Sequence, residues 1–196
     1  MDPTPETEID HVLLVPRWSG TPESDFYPWL GRELAARAPR LSIAAAPLLP
    51  APDRPEIEPC VEACLGVLAG LELSRTLLIG HSVGCQVLMR ALARFPDGPR
   101  APALLCVAGW WTVDRPWDTL RPWIDVPFDP ARAAARCARA VVLLSDDDPF
   151  TSDAEDTGRR FAQGLGAEIH VVPGRRHFNA PVEPAVLDAV LRLAEN

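Results

Sequence analysis

Apolar residues cluster in six short runs, at 9–16, 41–48, 76–80, 103–108, 140–144 and 168–172. A strand wetted on one face alternates apolar with polar residues. These runs do not, and so read as strands covered on both faces. Most of the intervals between them can hold a helix, which a crossover between parallel strands requires. Helical spacing is clearest over 83–94 and recurs over 57–71, 153–165 and 184–193, with a further helix expected over 29–38, entered through Pro28. Repeated βαβ units predict an α/β fold: a single domain over 1–196, about six mostly parallel strands, helices on both faces and no separate cap domain.

One interval breaks the pattern. Residues 109–130 carry four of the six tryptophans and four prolines with neither a helical nor a strand period. A long aromatic loop inside a compact domain is either a binding element or an apron over the sheet edge.

Composition narrows the function classes. The AVILMFWYC set supplies 47% of the 196 residues and charged residues 23%, close to globular averages, so a disordered chain or coiled coil is excluded. No apolar run approaches the roughly 18 residues of a membrane span, and the first ten residues are acidic, so a cytoplasmic protein with no membrane partner is expected. The formal charge is −8 and the basic residues are scattered arginines, so no nucleic-acid partner is expected. Five cysteines, at 60, 64, 85, 106 and 137, have neither disulfide-framework nor zinc-site spacing and read as buried thiols. Twenty-two prolines are spread between the apolar runs as loop punctuation.

The chemistry concentrates where the run 76–79 meets Gly80-His81-Ser82-Val83-Gly84 and a helix follows at once. This is the G-x-S-x-G pattern in a strand-turn-helix setting. The turn is so tight that positions two before and two after the serine must be small, and the hydroxyl is left projecting above the strand end. The helix N-terminus behind Ser82 aims the Val83 N–H at a developing oxyanion, and a second donor is expected from Arg17 or Trp18 after the first strand. A serine nucleophile needs a base. Of four histidines, His11 and His170 sit in strands and His81 lies inside the turn, whereas His177 follows the last strand on the edge where Ser82 emerges. The base needs a carboxylate. Asp146, Asp147 and Asp148 end the fifth strand on that edge, and spacing alone does not choose among them. Asp114, Asp118 and Asp125 are weaker candidates.

LLIGHSVG at 77–84, DDPF at 147–150, RHFN at 176–179 and a VP-plus-tryptophan turn at 15–18 together resemble a known family. It is that of the compact, lidless α/β-hydrolases typified by YdeN and the retinoblastoma-binding serine hydrolase, and the resemblance covers nearly the whole chain. It implies Asp148 as the acid and His177 as the base, hence a Ser82, Asp148, His177 triad. The family usually carries glycine where this chain has Arg17, which implies either an added anion contact or a narrower oxyanion hole.

The expected activity is a serine hydrolase cleaving an ester, thioester or amide through an acyl-enzyme, on a small acyl substrate and without metal or cofactor. Trp110, Trp111, Trp117 and Trp123, beside Trp18, are expected to wall the acyl pocket. An acyltransferase would use the same acyl-enzyme, and a non-catalytic interaction module would use only the scaffold. The protein is expected to be a monomer or homodimer.

Overall fold

A computed structural model describes residues 8–45 and 50–195. Six strands form one wholly parallel sheet: β1 (His11–Val15), β2 (Ser42–Ala45), β3 (Thr76–His81), β4 (Ala101–Val107), β5 (Cys137–Ser145) and β6 (Glu168–Val172), in spatial order β2-β1-β3-β4-β5-β6. Among the described residues seven α-helices accompany them, six between strands and one after the last: α1 (Tyr27–Arg37), α2 (Ile57–Ala69), α3 (Val83–Arg94), α4 (Arg121–Asp125), α5 (Pro130–Ala134), α6 (Ala154–Leu165) and α7 (Pro184–Ala194).

Successive side chains of a strand point to opposite faces, and this divides the core in two. Leu13, Leu78, Leu104, Cys106, Val142 and Leu144 pack against α2, α3, α5 and α6. Val12, Leu14, Leu77, Ile79, Leu105, Val141 and Leu143 pack against α1 and α7. Because helices cover both faces, the central strands carry unbroken apolar stretches such as 77–79 and 140–144, with polar residues confined to their ends.

The runs and helices of the sequence fall on these elements within a few residues, with three differences. β6 is not fully covered: as an edge strand it has one neighbour, and Val171 is 49% exposed. β4 and β5 begin earlier than their apolar runs, since main-chain pairing carries polar residues such as Arg139 along with it. The aromatic interval is not one loop. It contains α4 and leads into α5, each five residues long and too short to show a period. Residues 46–48 of the second run lie outside the described residues. No helix among the described residues is long and apolar enough to cross a membrane.

The strand order reverses between β1 and β3, since the chain leaves β1 toward β2 and then returns to build the sheet on the other side. A parallel sheet leaves a crevice beyond the strand C-termini at such a point. The loop after β1 and the turn after β3 meet there.

Candidate active site

The turn between β3 and α3 is forced by close backbone approach. A methyl group at Gly80 would stand 2.6 Å from the Cys85 nitrogen, and one at Gly84 2.2 Å from the Val15 carbonyl oxygen. Ser82, between them, has φ 55° and ψ −117°, a conformation that side-chain-bearing residues rarely adopt. Its N–H is held by the Val107 carbonyl at 2.9 Å. Strain of this kind costs about 1–3 kcal/mol and persists where the surrounding structure imposes it.

The three aspartates after β5 separate by contact. Asp146 accepts from the Gly174 N–H at 2.8 Å, and Asp147 accepts from the Ser145 hydroxyl at 2.7 Å and the Arg176 N–H at 2.6 Å. Those two pin the loop after β6. Asp148 alone reaches the imidazole: Oδ2 lies 2.7 Å from His177 Nδ1, while Oδ1 accepts from the Phe150 N–H at 2.9 Å. Both members of the pair are buried. The loop bends sharply at Arg176 and Phe178, both with positive φ, and the buried Phe178 ring anchors it. The acids of the aromatic interval do not reach His177; Asp114 caps the Ser152 N–H.

Ser82 and His177 line one cavity of about 200 Å³. No hydrogen bond joins them in this conformation. The Ser82 hydroxyl oxygen instead accepts from the Trp110 indole N–H at 3.3 Å. That contact uses a lone pair and leaves the hydroxyl proton free for a base.

The expected second oxyanion donor is corrected in part. The Arg17 N–H is engaged by the Tyr27 hydroxyl at 3.1 Å, so it does not face the cavity as a free donor. The Trp18 N–H has no hydrogen-bond partner among the described residues, nor has that of Val83 at the first position of α3. The Arg17 guanidinium is not an open anion site either, since it forks onto Asp25 at 2.6 and 3.1 Å and donates to the Trp18 carbonyl at 2.7 Å.

Two of the four loop tryptophans line the cavity and two do not. Trp110 and Trp117 are in its wall with Trp18, joined by Val113, Leu120 and Phe150. Trp18 meets Trp117 edge to face at 5.2 Å, and Phe150 meets His177 at 4.7 Å. Trp111 stacks parallel on Phe128 and packs against Phe161 instead of lining the cavity. Trp123 is buried behind the segment, its indole N–H donating to the Pro55 carbonyl at 3.0 Å. Arg90 of α3, itself buried, ties the same segment down by donating to the carbonyls of Trp123 and Val126 at 2.9 and 2.7 Å. Burial pushes its guanidinium down to about 10. Phe150 and Asn179 stood in the quoted DDPF and RHFN motifs without an assigned role; Val113 and Leu120 carry no sequence signal.

A parallel sheet carrying a strained serine turn at its switch point is the α/β-hydrolase fold, and solved structures agree. The ydeN gene product from B. subtilis superimposes with a TM-score of 0.81 at 20% identity, covering 95% of this chain and 100% of that one. Est1E from Butyrivibrio proteoclasticus gives 0.70 at 13% identity, covering 97% and 90%. At such identities the likeness is one of fold. No curated protein matches the sequence. The serine hydrolase family profile matches residues 12–190. The chain belongs to the serine hydrolase family and is a hydrolase of the α/β-hydrolase type.

Proposed function

We propose that the protein hydrolyses a carboxylic ester, thioester or amide by covalent catalysis at Ser82. The Ser82 oxygen attacks the acyl carbonyl while its proton passes to His177 Nε2. Asp148 holds the opposite nitrogen and stabilises the imidazolium. The tetrahedral oxyanion takes the Val83 and Trp18 N–H groups. Collapse breaks the bond to the leaving group, which departs with the proton from His177. Water, deprotonated by the same imidazole, then attacks the acyl-enzyme, and the acid leaves as Ser82 regains its proton. The observation that supports this most is the 2.7 Å contact of Asp148 with His177, whose ring lines the cavity that also bears the strained serine.

The apolar side chains of Trp18, Trp110, Trp117, Val113 and Leu120 in the wall support an uncharged acyl group as the substrate moiety. A series of p-nitrophenyl esters tests the reading. Wild type is expected to turn over and Ser82→Ala to lose roughly 10³-fold or more in kcat. Equal turnover by the two proteins would overturn it.

A further inference from the structure

His81 directly precedes Ser82, and its imidazole is completely buried, so both ring nitrogens need partners. Nε2 lies 2.8 Å from the main-chain carbonyl oxygen of His177, and Nδ1 lies 2.7 Å from the Tyr27 hydroxyl. A carbonyl only accepts, so Nε2 carries the proton and Nδ1 accepts from Tyr27. The Tyr27 oxygen in turn accepts the Arg17 N–H. Every direction in the chain is therefore fixed, running from the Arg17 main chain through Tyr27 to His81, with His81 donating onward to the His177 carbonyl.

A second path joins the same two ends. The Asn179 amide, oriented as its neighbours require, donates to the His177 carbonyl at 2.6 Å and accepts from Arg17 Nε at 3.1 Å. Asp25 accepts from the same Nε–H at 2.6 Å and from Nη2 at 3.1 Å, so the Asn179 oxygen takes the longer branch of a shared bond. The His177 carbonyl is thus linked to residue 17 twice, once to its main chain and once to its side chain.

The joined segments are not neighbours in the sheet. The loop after β1 brings Trp18, the proposed oxyanion donor, to the cavity, and the loop after β6 brings His177. In the sheet β3, β4 and β5 lie between those two strands. A displacement of about 1 Å at a reacting group costs on the order of 10² in rate, so a lateral tie at this place acts on the chemistry.

We propose that His81 and Tyr27 are positioning residues, which hold the base loop and the oxyanion loop in one register, with Arg17 and Asn179 as a second brace. The proposal rests on the hydrolase reading of Ser82 and His177. Burial, with His177 nearby, holds the His81 imidazole well below the usual histidine range, and burial drives the Tyr27 phenol upward. Both groups therefore stay neutral while His177 cycles its proton. Glycine at position 17, usual in the resembled family, would leave only the first brace; the arginine of this chain supplies the second.

The test uses the full chain, p-nitrophenyl butyrate and a fluorophosphonate, well below the unfolding midpoint. Tyr27→Phe and His81→Leu are expected to lower both kcat and the labelling rate about tenfold or more, with KM within about twofold. His81→Gln keeps an N–H for the carbonyl and an oxygen for Tyr27, and is expected to recover to within about threefold of wild type. Tyr27→Phe preserves the ring and carries the test if His81→Leu does not fold. Unchanged kcat in Tyr27→Phe, a rise in KM alone, or Gln performing no better than a folded Leu variant would overturn the proposal. Failure of wild type to label would instead sink the hydrolase reading itself.

Discussion

Asp148 and its two neighbours show how contact separates residues that spacing leaves equivalent. Asp148→Asn keeps the side-chain volume but removes the acceptor that fixes the His177 tautomer, and kcat should fall by roughly 10³–10⁴. Asp146→Asn, which disturbs only a loop contact at Gly174, should change kcat less than about threefold. Steady-state kinetics on the two folded variants checks the contrast, and the reverse order would reassign the acid. His81 makes a second residue-scale prediction, in stability. Its ring faces Tyr27, Phe26, His177 and, through space, the Arg17 charge, and it is held neutral in the folded state. The unfolded chain takes up a proton at this residue below about pH 6.5, and the folded chain does not. Stability contributed by His81 is therefore complete above that pH and declines as pH falls, by up to about 1.4 kcal/mol per pH unit. Denaturant titrations between neutral and acid pH should show that slope in wild type and a shallower one in His81→Gln.

At the scale of elements, glycines divide by what surrounds them. Gly84 sits under the β1 carbonyls, and Gly84→Ala should prevent the β3–α3 turn from closing, with little soluble folded protein recovered. Gly66, inside α2, has nothing within 4 Å of its missing methyl, so Gly66→Ala should stabilise the fold by about 0.5–1 kcal/mol, measured by urea unfolding. The same division explains what could be read from the sequence. Gly80 and Gly84 bracket Ser82 because a local turn demands it, and His177 follows a strand that local apolarity marks, so both were visible along the chain. Trp111 and Trp123 do not line the cavity because their rings are taken up by partners distant in sequence, Phe161 for the first and Pro55 for the second. No local pattern says that Trp110 looks into the site while Trp111 stacks on Phe128. The engaged N–H of Arg17 and the tie through His81 were equally invisible, since each depends on partners brought in by the fold, Tyr27 from α1 and the His177 carbonyl from the loop after β6.

At the scale of the molecule, the aromatic segment is a fixed wall. Arg90 holds its carbonyls, and the Trp123 indole is bonded to Pro55. A wall that does not yield limits acyl length, so kcat/KM should peak for short acyl esters and fall for long ones. Trp117, 39% exposed at the rim between Trp18 and Phe150, is the residue whose removal opens the cavity. Trp117→Ala should lift long-chain esters relative to short ones by about tenfold, as expected when roughly 1–2 kcal/mol of steric exclusion is relieved. Equal effects on both lengths would mean that the acyl chain leaves by another route.

The central claim is that Ser82 is a nucleophile activated by a histidine-aspartate pair built from two other strand ends. Intact-mass and peptide-mapping measurement of fluorophosphonate labelling tests it most directly. The account predicts a single adduct on Ser82 in wild type, none in Ser82→Ala, and labelling slowed by orders of magnitude in His177→Ala and Asp148→Asn. An adduct on any other residue, or wild-type labelling rates in the His177 variant, would contradict it.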